Sequence, residues 1–415
     1  MAVVRPFKAL RPVKEKSQLV ASVPYDVVNT EEAKEYAKDN PLSFLRITRS
    51  EIELSENIDH YSKEVYEKAK ENLLRIKTEA PLITEAKDSF YLYRLIMDGR
   101  SQVGLAATFS VDDYDNDVIL KHEKTRKEKE DDRTNHIITT KAQTGVVFLT
   151  YKDVKSVDEI IDEVIKSTEP VYDFVAPDGI SHTVWVIPVK YNGVLIKEFA
   201  SVKNLYIADG HHRAKSASRA REEMKKNNPA HNGNEEYNYF IAVLFPAGQL
   251  KILPYNRVIK DLNGKTKEQF LDEVSEKFYV EKISMKQPME KNSFCMYLDN
   301  EWYHLKVRDS VLASNSLSGS VSETLDVSIL QNFLLNPVLG IDDPRTNKRI
   351  DFVGGIRGTA ELEKLVDSGK FAVAFSMFPV TVDDLMRISD AGEIMPPKST
   401  WFEPKLRDGL LVHLI

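Results

Sequence analysis

The strongest constraint on the fold is a seam at residues 204–220, NLYIADGHHRAKSASRA. An apolar run, LYIA, halts at Asp209-Gly210, and a stretch of small and charged residues with helical character follows. A buried-type strand that passes into a helix through a single glycine demands layering of sheet and helix, because each must bury its apolar face against the other. Glycine suits such a corner, since it admits left-handed backbone and lets another group approach closely. The rest of the chain repeats the alternation. SFYLYRLIMDGRSQVGLAATFSV reads as a hairpin turning at Met97-Asp98-Gly99-Arg100, and FCMYLDNEWYHLKV as another turning at Asp299-Asn300. VVFLTY, SHTVWVIPV, YNYFIAVLFP, LKILPYNRVI, FAVAFSMFP and LSFLRIT read as strands. IDHYSKEVYEKAKENLLRIKTE, VDEIIDEVIKS, KEQFLDEVSEKF, LDVSILQNFLLNPVLGI and TVDDLMRISDAG read as helices. A further helix is expected from about Glu31 with Thr30 as its cap, and the charged KHEKTRKEKEDDRTNHIITTKAQ is expected to be helical throughout. The fold class these signals predict is α+β, a mixed α/β protein.

A chain of 415 residues is expected to form two or three domains at roughly 100–200 residues each. The polar stretch SNSLSGSVSET, residues 314–324, has linker composition. We place one region at 1–260, carrying the Asp-Gly-His-His-Arg box, and a C-terminal α/β region at 261–415. The net charge of -7 supplies no global basic field for nucleic acid. Cys295 is the only cysteine, which rules out an internal disulfide and a Cys-based zinc site. The start, MAVVRPFKALRPVKEK, lacks the apolar stretch of a signal peptide, and no segment approaches the ~20 apolar residues that span a bilayer. Cytoplasmic location is the expectation, with small molecules rather than membrane or nucleic acid as partners and with self-association left open.

The box itself has the chemistry of an anion site. A helix N-terminus presents unpaired N–H groups and partial positive charge. His211, His212 and Arg213 add donors at the same place, and Arg grips phosphate oxygens bidentately. Asp209, at the carboxyl end of a strand, can hold a magnesium ion or orient a hydroxyl. A zinc site on His211 and His212 is awkward, because adjacent helical side chains diverge by about 100°. The competing reading is a polar turn with a packed histidine.

IADGHHRAKSA resembles the signature of a large bacterial and archaeal family of formerly unknown function that is related to free serine kinases. The boxes RPFKALRP, PYDVV, NPLSFLRI, KHEKT, DDR, FPAGQLKILPYNRVI and MPPKSTWFEPKL are similar too, and together they span most of the chain. The resemblance implies a core similar to the ParB/sulfiredoxin fold and phosphoryl transfer to a free amino acid, L-serine first, giving O-phosphoserine. It puts donor phosphates on Gly210, His211, His212 and Arg213, with Lys121 and Arg133 as further cations. Mg2+ would bridge the donor phosphates, with Asp209 as metal ligand or hydroxyl partner. The base is Glu123 of KHEKT or Asp26 of VPYDVV, and the residues leave both open. Asn256 and Arg257 would take the serine carboxylate or the donor. ATP, ADP and pyrophosphate all remain as donors. The alternative is a nucleotide-binding, ParB-like regulator without turnover.

Overall fold

The computed structural model describes residues 2–316 and 319–415. Residues 317–318, inside the stretch read as a linker, lie outside the described residues. The chain forms two compact units: one made of Met1–Lys121, Thr125–Leu250 and Pro404–Ile415, the other of His122–Lys124 and Lys251–Glu403. The boundary expected near 260 falls at 250/251, and the segment Pro404–Ile415, expected with the C-terminal region, returns to the first unit.

The first unit is built on a nine-stranded sheet. Its strands are β1 (Val4–Arg5), β2 (Tyr91–Met97), β3 (Arg100–Ser110), β4 (Ile119–Leu120), β5 (Val147–Tyr151), β6 (Tyr172–Val175), β7 (Ser181–Val186), β8 (Leu205–Asp209) and β9 (Tyr239–Pro246). They lie in the order β4-β8-β5-β9-β3-β2-β7-β6, with β1 added on β3. The hairpin read from the sequence is β2–β3, with Met97 paired to Arg100 across Asp98-Gly99. Both turn residues have positive φ, 52° and 75°, as a two-residue primed turn requires. Most pairings are antiparallel, but β9 runs parallel to β5 and β8 parallel to β4. Mixed pairing is what a chain that alternates hairpins with strand–helix units produces.

The longer helices of this unit bury their apolar stripes against the sheet or against one another. They are α1 (Thr30–Ala37), α2 (Lys63–Glu79), α3 (Lys127–Thr140), α4 (Lys155–Ser167), α5 (Asn192–Ser201) and α6 (His211–Lys226). In α4, Val157, Ile161 and Val164 are buried and join the core formed by Leu149, Leu205, Ile207, Ala242 and Leu244. A second cluster gathers Phe44, Ile47, Leu73, Ile76, Leu82 and Val412. Burying one such Leu, Ile or Phe side chain is worth roughly 1.5–3 kcal/mol, so these two clusters supply the main folding drive.

Four local expectations need correction. LSFLRIT does not form a strand: Leu45–Thr48 is a short helix. Asn72 Nδ2 donates to Arg46 O and His136 Nε2 to Ile47 O, and those tertiary contacts override the β-like composition of a run too short to reveal a period. The cap of α1 is Asn29, one residue before Thr30, in a capping box with Glu32. The charged helix starts only at Lys127, leaving KHEKT outside it. Finally, LDVSILQNFLLNPVLGI is not one α-helix, since Asp326–Leu330 passes into a π-helical turn at Gln331–Leu335.

The second unit has its own six-stranded sheet. It contains β10 (Tyr255–Ile259), β11 (Phe278–Ile283), β12 (Ser293–Leu298), β13 (Glu301–Val307), β14 (Ile350–Gly354) and β15 (Val373–Met377). The order is β11-β13-β12-β15-β10-β14, every neighbour antiparallel. Helices α7 (Lys267–Ser275), α8 (Asp326–Leu330), α9 (Gly358–Asp367) and α10 (Val382–Asp390) complete it. Its core includes Val258, Cys295, Tyr297, Trp302, Leu362 and Phe371.

Candidate functional site

The seam at residues 204–220 is a strand–glycine–helix corner in the first unit. β8 ends at Asp209, Gly210 sits at φ 96°, ψ 31°, and α6 runs for 16 residues from His211. The left-handed conformation is one that a residue with a Cβ enters at a cost of about 1–2 kcal/mol. Space is also limited, because a Cβ on Gly210 would meet Arg213 Cζ and Nε at 3.0 Å. The pairing of β8 with β5 shifts register between Ile207 and Asp209. Such an irregularity re-aims the side chain that follows it, here the Asp209 carboxylate.

Around this corner the structure gathers groups from distant parts of the chain. Arg213, one turn into α6, reaches Asp26 Oδ2 at 3.3 Å and Asp209 Oδ2 at 3.4 Å. It also donates to the backbone carbonyl of Val146, while its buried Nε has no hydrogen-bond partner among the described residues. Lys405 Nζ lies 2.9 Å from the same Asp209 oxygen. Burial alone would favour a neutral Asp209, but Lys405 and Arg213 overcome it and hold the carboxyl well below its usual range. Asp408, nearly fully buried, goes the other way: burial first, then the charge of Asp26, push it up to about 7 against the pull of Arg213. Its Oδ2 has no hydrogen-bond partner among the described residues.

A second layer continues from Tyr25, the neighbour of Asp26. The guanidinium of Arg133 stacks 4.3 Å from the Tyr25 ring centroid. Arg133 Nε meets Asp132 Oδ2 at 2.9 Å, and its Nη1 donates to Thr48 O. Tyr66 donates to the other Asp132 oxygen at 3.2 Å. Behind them His136 donates from Nε2 to Ile47 O, and burial together with Arg133 lowers its pKa to about 4, so it stays neutral. Tyr25, Arg133, His136, Gly145 and Arg213 line a cavity of about 20 Å³, room for roughly one water. Its wall at Gly145 is close-packed, since a Cβ there would meet Arg213 Cδ at 3.1 Å.

Of the residues singled out in the sequence, Asp26, Asp209, Gly210 and Arg213 meet in one network. Arg213 differs from the expected phosphate clamp: its guanidinium already serves Asp26, Asp209 and Val146, and it is buried. A phosphate would have to compete with two carboxylates for it. His211 is buried at the first position of α6. His212 is half-buried, and its Nε2 accepts the Arg126 N–H at 3.0 Å, so a neutral ring carries its proton on Nδ1. Lys121 pairs with Asp117 at 2.5 Å and lies over the Tyr114 ring, while Arg133 is held by Asp132 and Tyr25. Glu123 belongs with the second unit, as do Asn256 and Arg257. Asn256 Oδ1 accepts from Met377 N at 3.0 Å. Arg257 is buried and donates to the carbonyls of Tyr255 and Lys398, and burial lowers its pKa to about 10.

Sequence reasoning missed Lys405 and Asp408. They sit in KLRDG near residue 405; Lys405 ends the MPPKSTWFEPKL box without being singled out there, and Asp408 lies just beyond it. Backbone bonds between Ser22 and Asp408, and between Leu10 and Val412, dock this segment on the N-terminal residues. Contacts that long-range leave no periodic trace.

Magnesium is tested by the donor set at the corner. A Mg2+ site wants one or two carboxylates with open lone pairs and room for waters. Asp209 Oδ2 is instead shared by an ammonium and a guanidinium, and Asp26 is tied to the same guanidinium. These residues do not fit a protein-held magnesium ion. They fit a charge-balanced corner whose exposed member is Asp26.

The fold and site therefore define a mixed α/β protein with a glycine-hinged, carboxylate-rich corner at the end of a sheet strand. The chain belongs to the family described as "Protein of unknown function (DUF1015)", which matches residues 4–328. No curated protein matches it. Among solved structures, a conserved hypothetical protein from Pyrococcus furiosus is 12% identical, with 74% of this chain and 95% of that one covered and a TM-score of 0.35. A free serine kinase in complex with AMP is 12% identical, with coverage of 74% and 91% and a TM-score of 0.35. SbnI with C-terminal truncation from Staphylococcus aureus is 12% identical, with coverage of 74% and 87% and a TM-score of 0.38. At such scores the likeness assigns neither a substrate nor a residue role. Among the described residues no helix is long and apolar enough to cross a membrane.

Proposed function

We propose that this protein is a phosphotransferase that moves a phosphoryl group from a phosphate donor to the hydroxyl of a free amino acid, with L-serine as first substrate. The observation that carries the reading is the meeting of Asp26 with the Asp-Gly-His-His-Arg corner through Arg213, across 187 residues of chain. Phosphoryl transfer needs little covalent help from a protein: it needs positioning, neutralised charge and an oriented nucleophile. The N-terminus of α6 supplies backbone N–H groups for donor phosphate, with His211 and His212 beside them. Asp26, exposed and fixed by Arg213, takes the proton as the serine Oγ attacks the terminal phosphorus and the bond from phosphorus to the donor's bridging oxygen breaks. Arg213 and Lys405 act as positioning residues, holding Asp26 and Asp209. Magnesium would come with the donor as charge neutralisation, and ATP, ADP and pyrophosphate are all candidates for that donor.

The test is a product assay on the purified protein with L-serine, Mg2+ and each donor in turn. O-phosphoserine is expected with at least one donor. Asp26→Asn should lower the rate by ~100-fold or more, the usual worth of a positioned base. Glu123→Gln, assayed beside it, separates the two base candidates. Absence of O-phosphoserine with all three donors overturns the reading. Donor binding that persists without turnover would point instead to a nucleotide-binding regulator.

A further inference from the structure

The second unit holds a separate cavity of about 360 Å³, which falls at the small end of ligand pockets. One wall is apolar, from Leu325, Ile329, Phe378 and Val380. Four charged side chains, Asp326, Lys291, Asp384 and Arg387, also line it, with Asn292 and Thr324 as uncharged polar neighbours. These charges are not equivalent. Lys291 Nζ bonds both oxygens of Asp384, at 2.9 and 2.8 Å. Asp384 also closes the cap of α10 by accepting from Thr381 N and Oγ1. That pair is internally satisfied and fixes one side of the pocket.

The other two charged groups keep bonding capacity. Asp326 is 7% exposed, its Oδ1 accepts from Asn292 N at 2.9 Å, and its Oδ2 has no hydrogen-bond partner among the described residues. A buried carboxyl oxygen left without a donor costs free energy, on the order of 1–3 kcal/mol, which a ligand N–H can recover. Burial first, with Asp384 adding, pushes Asp326 up to about 7, against Asn292 N–H and Lys291. An ammonium placed beside it would restore the carboxylate form. Arg387, exposed on α10, has no ion-pair partner among the described residues. One free acceptor, one free guanidinium and an apolar wall within one cavity ask for a ligand with a positive end, a negative end and an apolar body.

We infer that this cavity binds a small apolar α-amino acid, its ammonium on Asp326, its carboxylate on Arg387 and its side chain against Ile329 and Phe378. This site lies wholly within the second unit and does not depend on the phosphotransferase reading. A polar amino acid would leave its side-chain hydroxyl or amide against the apolar wall without partners, so the pocket should discriminate against serine.

The experiment is titration calorimetry of the full chain with L-leucine and L-phenylalanine. L-serine, 4-methylpentanoate (no amine) and 3-methylbutylamine (no carboxylate) are run in parallel. Saturable one-to-one binding is expected for leucine or phenylalanine. Loss of either ionic end, or replacement of the side chain by that of serine, should weaken it by roughly tenfold or more, the worth of one charge-assisted hydrogen bond. Arg387→Ala, at an exposed position, should weaken leucine binding by a similar factor while leaving 3-methylbutylamine unaffected. Asp326→Asn should do the converse, sparing 4-methylpentanoate. If Asp326→Asn does not fold, the ligand series and Arg387→Ala still decide the matter. No binding of either apolar amino acid overturns the inference, as does binding that ignores both ionic ends or the Arg387 substitution.

Discussion

Replacing Arg213 by Met keeps the length and apolar stem of the side chain but removes its charge and its donors. The loss can be worked from its partners. Removing one member of a buried ion pair costs about 3–5 kcal/mol, because the other is left uncompensated. Two features pull the figure to the low end. Asp209 keeps Lys405 at 2.9 Å, and the Asp26 side chain is 36% exposed, so water takes over part of the solvation. Val146 O loses its donor as well, worth about 1 kcal/mol. We expect Arg213→Met to destabilise the first unit by about 3 kcal/mol. Of the three tryptophans only Trp185 lies in that unit, in β7. Urea unfolding followed by fluorescence, in a background with Trp302 and Trp401 changed to Phe, therefore reports on it. Combining Arg213→Met with Asp209→Asn in a double-mutant cycle should give a coupling of about 1–3 kcal/mol. A loss under about 1 kcal/mol, or strict additivity of the two changes, would refute the claim that ion pairing organises this corner.

Asp408 predicts a pH signature. Its carboxyl titrates near 7 in the fold and near ~3.9 in the unfolded chain, so between those values the folded state binds the extra proton. Stability then falls as pH rises from about 4 to about 7, by up to about 4 kcal/mol at ~1.4 kcal/mol per pH unit. Asp408→Asn should remove that slope, which unfolding curves at pH 5 and pH 7.5 would reveal; equal slopes in both proteins contradict it. Gly104 lies in β3 where a Cβ would sit 2.5 Å from Val243 Cγ1 and 2.8 Å from Phe245 Cε1. Gly104→Ala should cost about 1–3 kcal/mol by overpacking, and Val243→Ala in the same chain should recover part of it, both read as unfolding midpoints.

Much of this architecture is legible in the sequence, and for identifiable reasons. The β2–β3 and β12–β13 hairpins carry their turns in Asp98-Gly99 and Asp299-Asn300, which take positive φ as the turns demand. The corner at Gly210 shows in the composition, because an apolar strand, a glycine and a helix follow one another without a gap. α4 is visible because its buried Val157, Ile161 and Val164 fall at helical spacing. What stays hidden is tertiary. Leu45–Thr48 is helical where the carbonyls of Arg46 and Ile47 are taken up by Asn72 and His136, 26 and 89 residues away, partners absent from the run itself. α5 opens on Asn192-Gly193 with weak patterning, and its sequence carries no clear helical signal. The partners of the corner, Lys405 with Asp209 and Asp26 with Arg213, are separated by 196 and 187 residues, so no local rule could join them.

The return of Pro404–Ile415 to the first unit sets an order on biosynthesis. A ribosome finishes all nine strands of the first sheet before it makes a single residue beyond Leu250, yet Lys405 and Asp408 emerge only after the whole second unit. Throughout that interval the nascent sheet carries Asp209 without its ammonium partner and Arg213 without its deepest carboxyl neighbour. The corner can thus close only on a chain translated past Asp408, which makes its assembly a built-in report that the second unit has already been made.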